Sequence, residues 1–512
     1  MFFALSVALF LLAFENDAGA RAEYLFMGTP VLVLFYALFL FGYWKGEKPQ
    51  AKPRSLEWVY WCAAIWLLPW GALRLYFGQF EIHAALFHMQ EGIGSSTDSV
   101  TVLALVCGVI IVAIGLHAVL VLARTLPLPW LPMGATIALV LFLNPLNQYM
   151  IEQQFRASAS DYLLPELVTP EVTSAPDRLP NLVIVYLEGV ERTYRHASAF
   201  GPVYDPILRL EPDAMVFEQL GQLPLTEWSM AGMVATQCGV PLVPRGFFQR
   251  NRANDGSIFM SGRTCLTDIL RDHGYHLEQI TGGDKEFGGM AAFVESHGDG
   301  DFTDYQVLAH VPGRFRDDWH WGVGDANLFN AAFERIATLD AGNQPYSFIL
   351  QTVGPHGPTG HIAEPCLRPG EASETSDILR PVECTNTLTE EFVRQLQATV
   401  DMDNTLIVVM SDHFAHQFVN VSDTLAEFER RNTFMLLGAG VTPQRSAKPG
   451  TMIDVFPTIL EAMGFELANS SAGFGVSLFA TRPSNFMRDD PETLMRVFRQ
   501  DTPLVNALWS VE

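Results

Sequence analysis

Asp412 and His413 follow the apolar run TLIVVM directly, as an SDH turn. A carboxylate beside an imidazole at the end of a buried strand suits one divalent ion of hard to borderline character. Alone the pair says little, because Asp-His also occurs in helix caps and turns. Glu188 closes NLVIVYLE in the same way, and a charge after so apolar a strand must be paired, solvated or metal-bound. Arg192 is the surface partner that competes for it, with Glu191 alongside. Thr226 precedes the hydrophobic helix that starts near Ser229 in LTEWSMAGMVATQCG. It reads equally well as a helix cap and as a nucleophile, since a helix amino terminus beside a metal lowers a hydroxyl's pKa. Ser229 is a rival within the same turn. His356 lies in TVGPHGPTG, where Gly and Pro let the backbone present an imidazole to a cleft. There it could stabilise a transferring phosphate or protonate a leaving alkoxide, or simply be an exposed loop histidine. His361, His320 and Asp325 are weaker candidates, because none directly follows a buried strand.

Positioning such residues takes a scaffold of strands and helices. From Asn181 onward the pattern is strand, polar turn, helix, repeated: LVIVYLE, SMAGMVATQCG, CLTDILRDHG, SFILQTVG, TLIVVMSDH, FMLLGAG and IDVFPTILEAMG. The strands are continuous apolar runs and do not alternate, as expected where helices cover both faces of a sheet. An α/β sandwich is expected, with its chemistry beyond the carboxyl ends of the strands. Glu188, His356 and the Asp412–His413 pair all stand at such ends.

The 512 residues exceed one ordinary domain, and their apolar content is uneven. Up to about Met150 the chain is dominated by Leu, Val, Ala, Phe and Trp runs, and beyond Ile151 it reads as globular. The expected organisation is a transmembrane domain over 1–150, a proline-punctuated linker over 151–179, a catalytic domain over 180–480 and a peripheral tail over 481–512. Five spans are expected, at Phe2 to Phe14, Leu25 to Tyr43, Trp58 to Phe77, Val100 to Ala123 and Leu128 to Leu146, the first of them short. The loop holding Lys45, Lys48, Lys52 and Arg54 is the most basic and is assigned to the cytoplasm. Counting outward puts the Phe80 to Ser99 loop and everything after the fifth span outside.

The formal net charge of −24 leaves no basic face for counterion release and argues against a nucleic-acid partner. Cys238, Cys265, Cys366 and Cys384 fall in the globular part; local pairing is the simplest of three connectivities and would require an oxidising compartment. Free buried thiols are the alternative.

Taken together, YLEGVERTY, LPLTEWSMAGMVATQCGVPL, CLTDILRDHGY, TVGPHGP and VVMSDHF resemble the phosphoglycerol transferase I family, within the wider group that includes lipoteichoic acid synthases. The resemblance covers most of residues 180 to 460 in order. It implies an alkaline-phosphatase-like, sulfatase-type α/β domain behind an α-helical transmembrane bundle, in the bacterial inner membrane with the catalytic part in the periplasm. It implies that Glu188, Thr226, Asp412 and His413 hold one divalent cation, Mn²⁺ before Zn²⁺ or Mg²⁺, with Thr226 the nucleophile and His356 touching the substrate phosphate. The four globular cysteines also look like the family's. The implied reaction moves phosphoglycerol from phosphatidylglycerol to a periplasmic glucan and releases diacylglycerol. Where lipoteichoic acid synthases carry a basic and aromatic patch for the head group, TGGDKEFGGM matches Phe287 but offers no arginine. The sulfatase signature CxPxR is absent, which argues against formylglycine chemistry. A phosphoethanolamine transferase acting on lipid A or a glucan is the alternative inside the superfamily, and a non-catalytic membrane sensor the alternative outside it.

Overall fold

The computed structural model describes residues 163–245, 259–298, 300–486 and 490–509, together with 87, 110, 113–115 and 117–118. Contacts divide the chain into two units, 1–82 with 97–156 and 83–96 with 157–512. The five expected spans lie outside the described residues, apart from the isolated positions between 110 and 118. Among the described residues no helix is long and apolar enough to cross a membrane.

The carboxyl-terminal unit is built on an eight-stranded sheet. In chain order its strands are β1 (Asn181–Leu187), β2 (Met215–Phe217), β3 (His276–Thr281), β4 (Asp301–Thr303), β5 (Tyr346–Gln351), β6 (Thr405–Ser411), β7 (Phe434–Gly438) and β8 (Gln444–Ser446). Across the sheet they run β8-β2-β7-β6-β1-β5-β3-β4. The central strands β6, β1, β5 and β3 are parallel, and β7 runs against β6. Every residue of β1 and of β6 is buried, as the unbroken apolar runs require of strands covered on both faces.

Alternate residues of these strands feed two cores. Leu182, Ile184 and Tyr186 face a layer containing α1 (Ser229–Cys238), α2 (Leu266–Asp272) and α5 (Val455–Ala462). Val183, Val185 and Leu187 face α3 (Asp325–Asp340) and α4 (Leu379–Thr399). This is the expected α/β sandwich. All ten residues of α1 are buried, so its apolar character runs all round the helix.

Disulfides join Cys238 to Cys265 and Cys366 to Cys384, the local pairing expected of their spacing. The first ties the end of α1 to the start of α2; the second anchors α4 to the turn before it. Part of the stretch read as linker lies on the domain, where Val172–Ser174 pairs antiparallel with Glu466–Leu467. The terminal segment is more than a peripheral tail: α6 (Pro491–Gln500) and α7 (Thr502–Trp509) bury Leu494, Phe498, Leu504, Leu508 and Trp509 in the α1 core. The Trp509 indole donates to the Val243 carbonyl at 2.9 Å.

Candidate active site

Register brings the site together. β1 and β6 are paired so that Leu187 stands opposite Ser411, and the next residues, Glu188 and Asp412, leave the sheet side by side. Tyr186 is opposite Gln351 on β5. Gln351 Nε2 donates to Asp412 Oδ2 at 3.1 Å, and the Glu188 amide donates to Thr352 Oγ1 at 3.0 Å. Asp412 Oδ1 accepts from the amides of Gly189 at 3.0 Å and His413 at 2.8 Å. Helix α1 adds the remaining group. Its cap, Trp228, is extended, Ser229 is its first residue, and Ser229 Oγ donates to Glu188 Oε2 at 3.0 Å. Gly232 lets the helix approach so closely: a Cβ there would lie 1.9 Å from the Asp412 carbonyl oxygen.

Four potential ligands therefore converge. His413 Nε2 lies 3.4 Å from Glu188 Oε1, 3.4 Å from Asp412 Oδ2 and 3.4 Å from Ser229 Oγ. Ligands about 2.0–2.1 Å from a tetrahedral ion stand roughly 3.3–3.4 Å apart, so these spacings fit one divalent cation. The donor set of two carboxylates, an imidazole and a hydroxyl, all almost completely buried, fits as well. His416 joins Glu188 and His413 in a second grouping whose ligand atoms lie within 4.8 Å of one another.

Electrostatics agree with a site built around positive charge. Burial opposes ionisation of Glu188, but His356, His413 and His416 outweigh it and hold its carboxyl well below the usual range. Burial, then the neighbouring Glu188 carboxylate, pushes Asp412 up to about 8, while His413 opposes the rise. Burial disfavours charge on His413, yet Asp412 and Glu188 raise it to about 9. Burial lowers His356 and His416, and the Glu188 carboxylate opposes that shift.

The His356 ring stands 6.1 Å from that of His416, which in turn is 4.5 Å from that of His413. His356 Nδ1 lies 2.9 Å from the Gly357 carbonyl, a contact that assigns the proton to Nδ1 and leaves Nε2 as an acceptor. Trp321 covers the imidazole at 4.0 Å between centroids, and Phe287 meets Trp321 edge-on at 5.7 Å. The two residues expected at the substrate, His356 and Phe287, are thus linked through an indole that sequence reasoning did not single out.

The structure brings Glu188, Asp412, His413 and His356 together, but it does not bring Thr226 with them. The Thr226 hydroxyl donates to the Leu223 carbonyl at 2.6 Å, satisfying itself in the loop before the helix. Ser229, its rival, is the hydroxyl at the cluster. Nor does Arg192 take Glu188: it is buried and paired with Glu211 and Glu218. Of the weaker candidates, His320 pairs with Glu374 at 3.4 Å, His361 stacks on Trp319, and Asp325 binds backbone. His416 was missed, and its signal was the three-residue spacing from His413 in SDHFAH.

A family model described as Sulfatase matches residues 180–465. Phosphoglycerol transferase I of Xanthomonas campestris pv. campestris (strain B100) is 31% identical over 324 residues, 62% of this chain and 45% of that protein. The phosphoglycerol transferase I of Citrobacter koseri is 30% identical over 325 residues, 62% of this chain and 41% of the relative. The chain thus spans less than half the length of these two curated relatives. Among solved structures, a protein of the alkaline phosphatase superfamily from Vibrio parahaemolyticus superposes with a TM-score of 0.50 at 21% identity, covering 66% of this chain and 79% of its own. The integral membrane protein lipooligosaccharide phosphoethanolamine transferase A from Neisseria meningitidis gives 0.50 at 13% identity, covering 90% and 95%. At such identities the likeness speaks to fold.

Proposed function

This chain belongs to the sulfatase family, with an alkaline-phosphatase-like α/β domain, and from that premise we propose that it is a membrane-anchored phosphoglycerol transferase. The donor is phosphatidylglycerol, the acceptor a periplasmic glucan, and diacylglycerol is released. The observation that carries this reading is Ser229 at the amino terminus of α1, 3.0 Å from Glu188 and 3.4 Å from His413. A helix amino terminus favours an alkoxide and the phosphate it attacks. We assign the nucleophile to Ser229 and leave Thr226 a structural role in the preceding loop.

In the first step Ser229 Oγ bonds to phosphorus, the bond from phosphorus to the diacylglycerol oxygen breaks, and the proton lost by Ser229 balances the one diacylglycerol takes up. In the second, a glucan hydroxyl attacks the glycerophospho-serine, His356 Nε2 accepts its proton, and Ser229 Oγ leaves and is reprotonated. Glu188, Asp412, His413 and Ser229 would hold one divalent cation, Mn²⁺, Zn²⁺ or Mg²⁺, which when bound supplies Lewis-acid stabilisation of phosphoryl charge.

The amino-terminal 150 residues form the helical bundle in the inner membrane, and the catalytic domain lies on the periplasmic side. Two observations support that side. Both local disulfides suit an oxidising compartment. Phe87, from the loop assigned to the outside, is buried against Trp228 at 6.1 Å, next to Ser229.

Mass spectrometry after incubation with phosphatidylglycerol and Mn²⁺ tests the reading. A glycerophosphate adduct on Ser229 with diacylglycerol release is expected, lost in Ser229→Ala and kept in Thr226→Val. An adduct on Thr226 would overturn the nucleophile assignment. Reaction with phosphatidylethanolamine alone would replace the donor, and inertness toward both lipids with metal bound would remove the function.

A further inference from the structure

Asp325 is the first residue of α3 and is almost completely buried. Burial, with a contribution from the Glu188 charge, raises its pKa, while the hydrogen bonds it accepts oppose the rise. Those bonds run to the loop that carries His356. Oδ1 accepts from the amides of Val353 at 2.9 Å and Gly354 at 3.1 Å. Oδ2 accepts from Gly354 at 3.2 Å and from the Thr385 hydroxyl on α4 at 2.6 Å. The approach is so close that a Cβ on Gly354 would lie 2.6 Å from Asp325 Oδ2 and 3.0 Å from Thr385 Oγ1.

From that anchored base the loop is closed by short bonds of its own. The His356 amide donates to the Val353 carbonyl at 3.0 Å, and the His361 amide donates to the Gly354 carbonyl at 2.7 Å. His356 is thus one short turn from the carboxylate, in a loop hydrogen-bonded on both sides of it.

We propose that Asp325 is a positioning residue that fixes the imidazole of His356 over the candidate cluster. This rests on the role given to His356 in the proposed function. Asp325 acts through the loop and touches neither substrate nor cation. A residue that only capped α3 would affect stability without regard to His356.

A double-mutant cycle separates these roles, with phosphoglycerol transfer from phosphatidylglycerol as the readout. Asp325→Asn keeps the size but turns an amide toward donors, and kcat should fall by about 10- to 100-fold, the cost of misplacing a reacting group by up to an ångström. Thr385→Val should act in the same direction by less. In a His356→Ala background, Asp325→Asn should lower kcat by no more than about twofold, because the group it positions is already gone. Equal factors in both backgrounds, or no effect in the wild type, would overturn the proposal. If the wild-type protein turns over neither phosphatidylglycerol nor phosphatidylethanolamine, the functional reading fails, and Asp325 is then judged by the ¹⁵N signals of its histidines. Asp325→Asn must shift the ring signals of His356 and leave those of His413 in place; unmoved His356 signals refute the positioning role.

Discussion

Gly232 sits one turn into α1 from Ser229, on the side that meets the SDH turn. A methyl group there would lie 1.9 Å from the Asp412 carbonyl oxygen, 2.8 Å from its carbon and 3.3 Å from Met452 Cε. Carbon and oxygen settle at about 3.3 Å or more, so Gly232→Ala demands a separation of roughly 1.4 Å between helix and strand end. Strand β6 is held in the sheet centre by β1 and β7, so the helix gives way. Ser229, three residues earlier, moves with it, and the 3.0 Å contact to Glu188 opens beyond hydrogen-bond range. Overpacking of this kind costs about 1–3 kcal/mol, offset by up to about 1 kcal/mol of better helix propensity. The thermal midpoint should fall by only a few degrees. Adduct formation at Ser229 should slow by about 100-fold, the penalty for misplacing a reacting group by an ångström. Single-turnover mass spectrometry and a circular-dichroism melt on the same preparation read both numbers. Adduct formation within twofold of wild type, in a folded Gly232→Ala protein, would refute the claim that this contact sets the position of the nucleophile.

Three further outcomes are expected. Replacing Cys238 and Cys265 together by alanine removes a cross-link of sequence separation 27 and should cost about 3.5 kcal/mol by the loop-entropy relation, read as a lowered denaturation midpoint in urea; an unchanged midpoint would count against it. His361 is buried against Trp319 with neither ring nitrogen bonded; burial, then the nearby His320, lowers it to about 4, while Asp318 opposes. Its folded pKa lies below the unfolded value, so the stability it contributes is present above about pH 6.5 and is lost as pH falls toward 4, by about 3 kcal/mol at most; His361→Phe should flatten the melting-temperature profile across that window, and an unaltered profile would exclude it. Chelation of the divalent ion should remove about 2.7 kcal/mol at a metal concentration 100 times Kd, and re-addition of Mn²⁺ should restore it; a melting temperature indifferent to both would mean that the cluster does not bind metal.

Much of the scaffold was legible because its signals are local. Unbroken apolar runs ending in Glu188 and in Asp412–His413 mark strands buried on both faces with a polar residue at each carboxyl end, and parallel pairing of β1 with β6 then places those ends together. The short cysteine separations pointed to the disulfide pairing for a similar reason. His416 and Trp321 were overlooked, since a loop histidine and an indole in the turn between two two-residue strands carry no periodicity that marks them.

The amino-acid sequence by itself determined the class of the sheet, the identity of the carboxylates and imidazole that could share an ion, and the loop that presents His356, because each depends on residues near one another along the chain. Which hydroxyl stands at that cluster was decided only by tertiary structure. Thr226 and Ser229 are three residues apart and both suit the start of a helix. Leu225 adopts a positive φ of 66°, Thr226 turns its hydroxyl to the Leu223 carbonyl, and the helix begins at Ser229. The close approach of Gly232 to Asp412 then sets Ser229 against Glu188. A side chain's direction at a helix entrance follows from where the backbone turns and what it packs against, and those contacts come from β1 and β6, some 40 and 180 residues away along the chain.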